Sequence, residues 1–418
     1  MFKIKCISLI ILFSLFLSCS EDEKEIINDT DVDNSPIIEV TFDGQIINSI
    51  SPFNVLKVIK SNNEFIILNT ELVTQYPFNP TTRVSKIDSQ FNLVWTFIVD
   101  RTVNDEQLAG VFELNNNEFI AIFGKSGFSN QGLYDNEVFG LKFNSSGTIL
   151  WEKNYSMNNL DYNTHLDNII YFKNNDSNEL KVMFKSDSTY NNADDFYYRE
   201  VKINSDGDIL ENNKINNSTH GLFYDIIYDN LGNKYNFGGN SVVDFYIGNS
   251  AFTSFDASLT KFNSNNSIIF NNLYGIPRID DYFHRAINDN NNKINLIGKY
   301  GIDYSNQTEA RWIVQMDSNG NIVWEIKEYE ERYKYYGKDI IQDGDNYLSL
   351  FDDRNGYNVT TLIKSNNQGE ILWKFKDGEK NNTENFLSQR VIKYNDEYLI
   401  FGIRDNNKLW VKKIKVIE

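Results

Sequence analysis

The chain of 418 residues has only two cysteines, five prolines and three histidines. Both cysteines, Cys6 and Cys19, lie at the extreme N-terminus, so the remainder has no thiol and no disulfide, and its stability must come from packing. Basic residues are also in deficit, with 40 Lys and Arg against 58 Asp and Glu, a net charge of -18. That balance excludes a nucleic-acid backbone as partner, because phosphate binding needs clustered cations. Catalytic and phosphate-binding signatures are missing as well. There is no Gly-x-Ser-x-Gly and no His-Glu-x-x-His. Gly124-Lys125-Ser126 lacks the earlier glycine of a phosphate loop, since Phe119 stands there. Asn204 to Asp208 lacks the closing glutamate of a calcium loop. No cofactor and no metal site are expected.

What is present begins with Lys3, Lys5 and the apolar run Ile7 to Leu17, which is too short to span a membrane as a helix. The run ends Phe16-Leu17-Ser18-Cys19. A small residue followed by cysteine at that place resembles a bacterial lipobox, although Phe16 stands where leucine is usual. The resemblance implies a signal peptide at 1–18, cleavage before Cys19, and lipid attachment to its thiol. Lipid there would supply membrane attachment at about 0.8 kcal/mol per buried methylene. Removing the two lysines takes the net charge to -20. The acidic stretch Ser20-Glu21-Asp22-Glu23-Lys24-Glu25 is similar to the surface-export signal of Bacteroidetes lipoproteins. Residues 19–36 then read as a solvated tether, and the expected address is the outer membrane, facing the exterior.

The rest of the chain repeats itself. NSSGTILWEKNYS (144–156), DSNGNIVWEIKEY (317–329) and NNQGEILWKFKDG (366–378) share one pattern. Anchored on the large residue four places after the glycine, Asn48, Trp95, Trp151, Glu211, Phe270, Trp324 and Trp373 follow at spacings of 47, 56, 60, 59, 54 and 49. A period near fifty with strand-like content indicates propeller blades. Each unit reads as four short strands bounded by Asn, Asp and Gly; in the fifth these are His284–Asn288, Lys293–Lys299, Trp312–Asp317 and Asn321–Lys327. The turn between the third and fourth strands needs one left-handed residue. Gly44, Gly147, Gly207, Gly320 and Gly369 hold that place, Asn266 substitutes, and beside the misfit Phe91 the strained position is expected to fall on Asn92. The aromatic anchors are expected to pack between blades.

The last unit shows only three strands, Ser388–Tyr394, Glu397–Arg404 and Leu409–Val416, while Pro36 to Ser51 carries an unassigned strand. Joining them gives an all-β fold: a seven-bladed propeller of four-stranded antiparallel blades over 37–418, its last blade closed by an N-terminal strand. This pattern resembles the seven-bladed propellers of the WD40-like and quinoprotein-like groups. The Trp-Asp dipeptide of true WD40 repeats is absent, as Trp95 precedes Thr96 and Trp151 precedes Glu152, and so is the adjacent cysteine pair of many quinone-dependent dehydrogenases.

Loop length separates the two faces of the disc. Turns between first and second strands are short, whereas second-to-third connections such as Glu71–Arg83, Lys125–Glu137, Asn240–Ser258 and Lys299–Arg311 are long and individual. Long loops on a rigid scaffold are where binding concentrates. The candidate binding residues on that face are Tyr134, Tyr162, Tyr282, Tyr304, Tyr335 and Tyr336, with His165, His220 and His284 at the starts of first strands. Flat rings beside carboxylates suit sugars and suit protein partners. The sequence reading is therefore a lipid-anchored binding or scaffold propeller for a glycan or a surface protein. The alternative is an extracellular polysaccharide-acting enzyme with paired carboxylates near the channel mouth.

Overall fold

The computed structural model describes residues 36–417 apart from 47–51, 73–79, 100–104, 115–116, 127–136, 157–168, 175–178, 188–195, 216–220, 248–249, 277, 290, 304–307, 330–333, 355–357, 379–385 and 405–407. Its compact unit is Ile38–Glu418. The described residues form twenty-eight strands, numbered here in chain order, in seven four-stranded sheets. In six sheets, four consecutive strands lie side by side in chain order. The seventh has the order β1 (Ile37–Gln45), β28 (Lys408–Ile417), β27 (Glu397–Arg404), β26 (Phe386–Tyr394), so the N-terminal strand completes the last blade as expected. The first strands of the other blades are β2 (Pro52–Ser61), β6 (Asp105–Leu114), β10 (Ile169–Asn174), β14 (Gly221–Tyr228), β18 (Tyr282–Asn288) and β22 (Lys334–Asp343). Each first strand touches the first strand of both neighbouring blades, and β26 touches β2, so these seven strands close a ring around the axis.

The core lies between blades. Val84, Phe119 and Phe139 join the first two blades, and Phe237, Leu296 and Trp312 join the fourth and fifth. Where a disulfide is absent, buried ion pairs cross other seams between blades. Arg311, 1% exposed, holds Asp353 of the next blade through Nε at 3.1 and 3.2 Å and through Nη2 at 2.5 Å. Lys234 meets Glu200, which also accepts from the Tyr228 hydroxyl at 2.9 Å.

The repeated turn has two causes. Asp88, Asn144, Asn204, Asn263, Asp317 and Asn366 each accept, through one side-chain oxygen, the N–H groups two and four residues ahead, at 2.7–3.0 Å. The left-handed residue follows at φ +81° in Gly147, +79° in Gly207, +82° in Gly320 and +84° in Gly369. A Cβ on Gly147 or Gly369 would lie 2.8 Å from the ring of Trp95 or Trp324 in the preceding blade. The Trp95 indole donates to Ser145 O at 3.0 Å, and that of Trp324 to Asn367 O at 3.0 Å. The aromatic anchors thus pack between blades as expected, with Trp95, Trp151, Phe270 and Trp324 each seated on the next blade's glycine and Trp373 packed on Tyr398 of the last blade. Glu211, which has no ring, precedes the turn of Asn266, which is not glycine (φ +64°).

Three expectations fail here. Phe91 itself takes the left-handed conformation at φ +65°, not Asn92. Its ring is buried against Phe42 of β1 at 4.9 Å, and that packing holds the strained backbone. Gly44 lies within β1 and not at a turn, so the N-terminal strand is out of register with the anchor series, and Asn48 lies outside the described residues. The stretches 240–258 and 299–311 are largely strand. β15 (Lys234–Ile247) and β16 (Ser250–Phe262) pair over their whole length, down to Ile247 opposite Ser250. β19 (Ile294–Asp303) and β20 (Thr308–Met316) extend likewise.

Candidate functional site: the channel mouth

Every first strand carries an irregularity in its pairing with the second strand. In β14, β18, β22 and β26 one residue is extra: Tyr224, His284, Lys338 and Gln389. A bulge leaves its extra residue out of the ladder and re-aims the side chains beside it. On the innermost strands that aims them at the axis.

Blades four, five and six therefore gather rings at one end of the channel. Tyr224 lies 5.4 Å from His284 and 5.9 Å from Tyr282, centroid to centroid. His284 lies 6.1 Å from Tyr282 and 6.3 Å from Tyr336, and Phe255 of β16 backs Tyr282 at 5.5 Å. Tyr282 lies in a slot that needs glycine, since a Cβ on Gly239 would come within 2.5 Å of its ring. Cations flank the rings. Lys299 lies 5.1 Å from the centre of Tyr282, and Arg354 and Lys338 lie 4.7 and 5.6 Å from that of Tyr336. Lys299 in turn pairs with Glu309 at 2.8 Å, and Arg354 with Asp352 at 3.0 Å. Tyr224 is 40% exposed, so the cluster is reachable from solvent.

Burial, reinforced by Lys299, Lys338 and Arg285, lowers the pKa of His284 to about 3. The imidazole is neutral at ordinary pH, and its Nδ1 is buried without a hydrogen-bond partner. Two nearby carboxyls shift the other way. Burial raises Asp281 to about 7, against hydrogen bonds from the N–H groups of Gly301 and Ile276. Burial also raises Asp352 to about 6, against Lys338 and Arg354.

Of the residues singled out from sequence, Tyr282, Tyr336 and His284 are brought together. Tyr335 is not among them: it is fully buried, with Arg311 stacked 4.7 Å from its ring centre. Adjacent strand residues face opposite sides, so Tyr335 and Tyr336 cannot both reach the mouth. Tyr134, Tyr162, Tyr304, His165, His220 and Cys19 lie outside the described residues. Tyr224, Phe255, Lys338 and Arg354 were not anticipated. A signal existed for part of this set, in the polar pairs Tyr224-Asp225, His284-Arg285, Lys338-Asp339 and Gln389-Arg390 within otherwise apolar strands.

No family model and no curated protein matches the chain. Solved structures do resemble it. A puromycin hydrolase variant in complex with PGG is 8% identical over 85% of this chain and 50% of its own, with a TM-score of 0.51. This chain thus spans half the length of that hydrolase. A member of the DUF4221 family from Bacteroides vulgatus is 8% identical over 91% of this chain and 99% of its own, with a TM-score of 0.41. An apocarotenoid oxygenase from Synechocystis is 8% identical over 76% and 70%, with a TM-score of 0.43. At such identities the likeness concerns the fold, which supports binding and catalytic proteins alike.

Proposed function

We propose that the chain is a binding propeller of the cell envelope, held to the outer membrane by lipid on Cys19, that takes a glycan at the channel mouth. The observation that carries this reading is the cluster of Tyr224, Tyr282, His284 and Tyr336 from three successive blades. Ring faces pack against the apolar faces of sugar rings, and Lys299, Glu309 and Arg354 beside them offer donors and acceptors for hydroxyls. A neutral imidazole adds contact without a charge that would need solvation. The carboxyls raised in pKa favour binding over hydrolysis, because Asp281 and Asp352 are fully buried.

The test is a thermal-shift and calorimetric screen against a panel of polysaccharides. At one hundred times the dissociation constant, a ligand adds about 2.7 kcal/mol to stability. Tyr224→Ala and Tyr336→Ala should each weaken a hit at least tenfold with the unliganded melting temperature little changed. A hit that survives both substitutions would remove the site from the mouth. No response to any glycan would turn the reading to a protein partner, sought by co-purification from detergent-solubilised membranes.

A further inference from the structure

Below the ring cluster, the residue after each bulge forms a second level of the channel wall. In β14, β18, β22, β26 and β2 these residues are Asp225, Arg285, Asp339, Arg390 and Lys57, and in β6 the place falls to Gly110. Acid and base alternate around the ring until Lys57, whose neighbours at this level are a cation and a glycine. The geometry shows how the two acids are used. Asp225 takes Arg285 at 3.3 Å through one oxygen and the Ile226 N–H at 2.9 Å through the other. Asp339 accepts the Ile340 N–H at 3.1 Å and the Val391 N–H at 3.0 Å, so backbone amides occupy both oxygens. The guanidiniums of Arg285 and Arg390 both reach Lys338 O, at 3.3 and 3.4 Å, which draws two like charges together.

Lys57 makes no ion pair and no hydrogen bond among the described residues. Its ammonium nevertheless feels Arg390, Asp339, Asp225 and Arg285 from four other blades, as only a side chain reaching toward the axis can. Part of the residue stays open to solvent, while the protein crowded around its ammonium, with Arg390 and Arg285, lowers its pKa against Asp339 and Asp225. A cation left without a contact partner, at a level of the channel wall already holding two guanidiniums, is a site for an external negative charge.

We propose that the channel binds a small oxyanion, a carboxylate or phosphate group, between Lys57 and Arg390. This site stands apart from the sugar-binding reading, because none of the mouth aromatics is needed for it. Two sources share the chemistry: free inorganic phosphate, and the carboxylate of an acidic sugar that enters through the mouth.

The experiment titrates the whole chain with inorganic phosphate and, separately, with glucuronate, at ionic strength held constant with chloride, following melting temperature and heat. A saturable rise with phosphate alone assigns the site to free phosphate. A rise with glucuronate alone assigns it to an acidic sugar, and both together assign it to oxyanions generally. Lys57→Met should weaken the response at least tenfold, and Lys57→Arg should restore it. Without added anion, Lys57→Met should melt no lower than the unaltered chain, since it removes a repulsion. The proposal is overturned if neither anion gives a saturable shift, if Lys57→Met responds undiminished, or if that variant is destabilised in the absence of anion.

Discussion

At the residue scale, Asp281 shows what a buried acid does to stability. Its carboxyl anchors the turn before β18, accepting Gly301 N–H at 2.6 Å and Ile276 N–H at 3.1 Å, with no exposure to water. Its pKa rises from 3.8 to about 7. Between those values the folded chain keeps a proton that the unfolded chain has lost. The contribution is therefore complete below pH 3.8 and fades as pH rises to about 7, by up to about 4 kcal/mol. Asp281→Asn, which keeps an acceptor and cannot ionise, should gain on the parent as pH rises. Urea unfolding of both at pH 4.5 and 7.5 checks this, and an equal gap at the two pH values would refute it. His284 works in the opposite sense. Its pKa falls from 6.5 to about 3, so the stability it gives is present above 6.5 and lost as pH drops toward 3. The sequence shows an aspartate and a histidine; only packing makes one a reluctant acid and the other a reluctant base.

At the scale of the strand and its turn, the unit of construction is an aromatic on one blade and a glycine on the next. Gly369 is needed twice, for its φ of +84° and because a Cβ there would lie 2.8 Å from Trp324. Gly369→Ala should cost about 1–2 kcal/mol for the left-handed backbone, with a further cost for the clash. Trp324→Ala loses packing and the indole bond to Asn367 O. The double variant has no ring to strike, so its loss should fall short of the sum by about 1 kcal/mol or more, as denaturant unfolding of all three variants would measure. Strict additivity would mean that the glycine serves its φ alone. The chain holds a natural precedent in Glu211 and Asn266, where ring and glycine are missing together. The repeat was legible because this contact fixes two residues at a nearly constant spacing at four of the seams. A second repeated contact escaped, because its members lie on different strands. Glu64–Lys86, Glu118–Lys142, Glu179–Lys202 and Glu397–Lys413 pair at 2.5–2.7 Å across the second and third strands. In the fifth blade Lys293 takes the glutamate's place and donates to Gln315 at 3.0 Å.

For the whole molecule, the same sequence that announced seven blades hid the ring cluster at the channel mouth. Blade number follows from turns and anchors, which are local. The mouth depends on bulges in the first strands, and a bulge is a matter of register between strands that no spacing records. Tyr224 was missed for that reason, while Tyr335 was misplaced because alternation along β22 turns it away from Tyr336. Closure lies between these cases. The missing fourth strand of the last blade was visible, while the details that seat β1 were not. Thr41 donates to Glu397 at 3.0 Å and reaches Lys413 O at 3.3 Å, Asp43 pairs with Arg404 at 3.4 Å and Lys412 at 3.5 Å, and Ile46 N–H donates to Leu409 O at 2.9 Å. β1 is thus the clasp of a ring whose other contacts run between consecutive blades. A chain begun at residue 36 should melt like the full chain, because every one of these bonds survives. A chain begun at residue 47 leaves β28 as an open edge and removes Phe42 from beneath Phe91, whose strained backbone then keeps only the packing of its ring on Phe65. It should lose its single cooperative transition and associate with other copies along the exposed strand, as calorimetry and light scattering would show. If it melts as one unit near the parent's temperature, the ring is held by its blade-to-blade packing and not by its clasp.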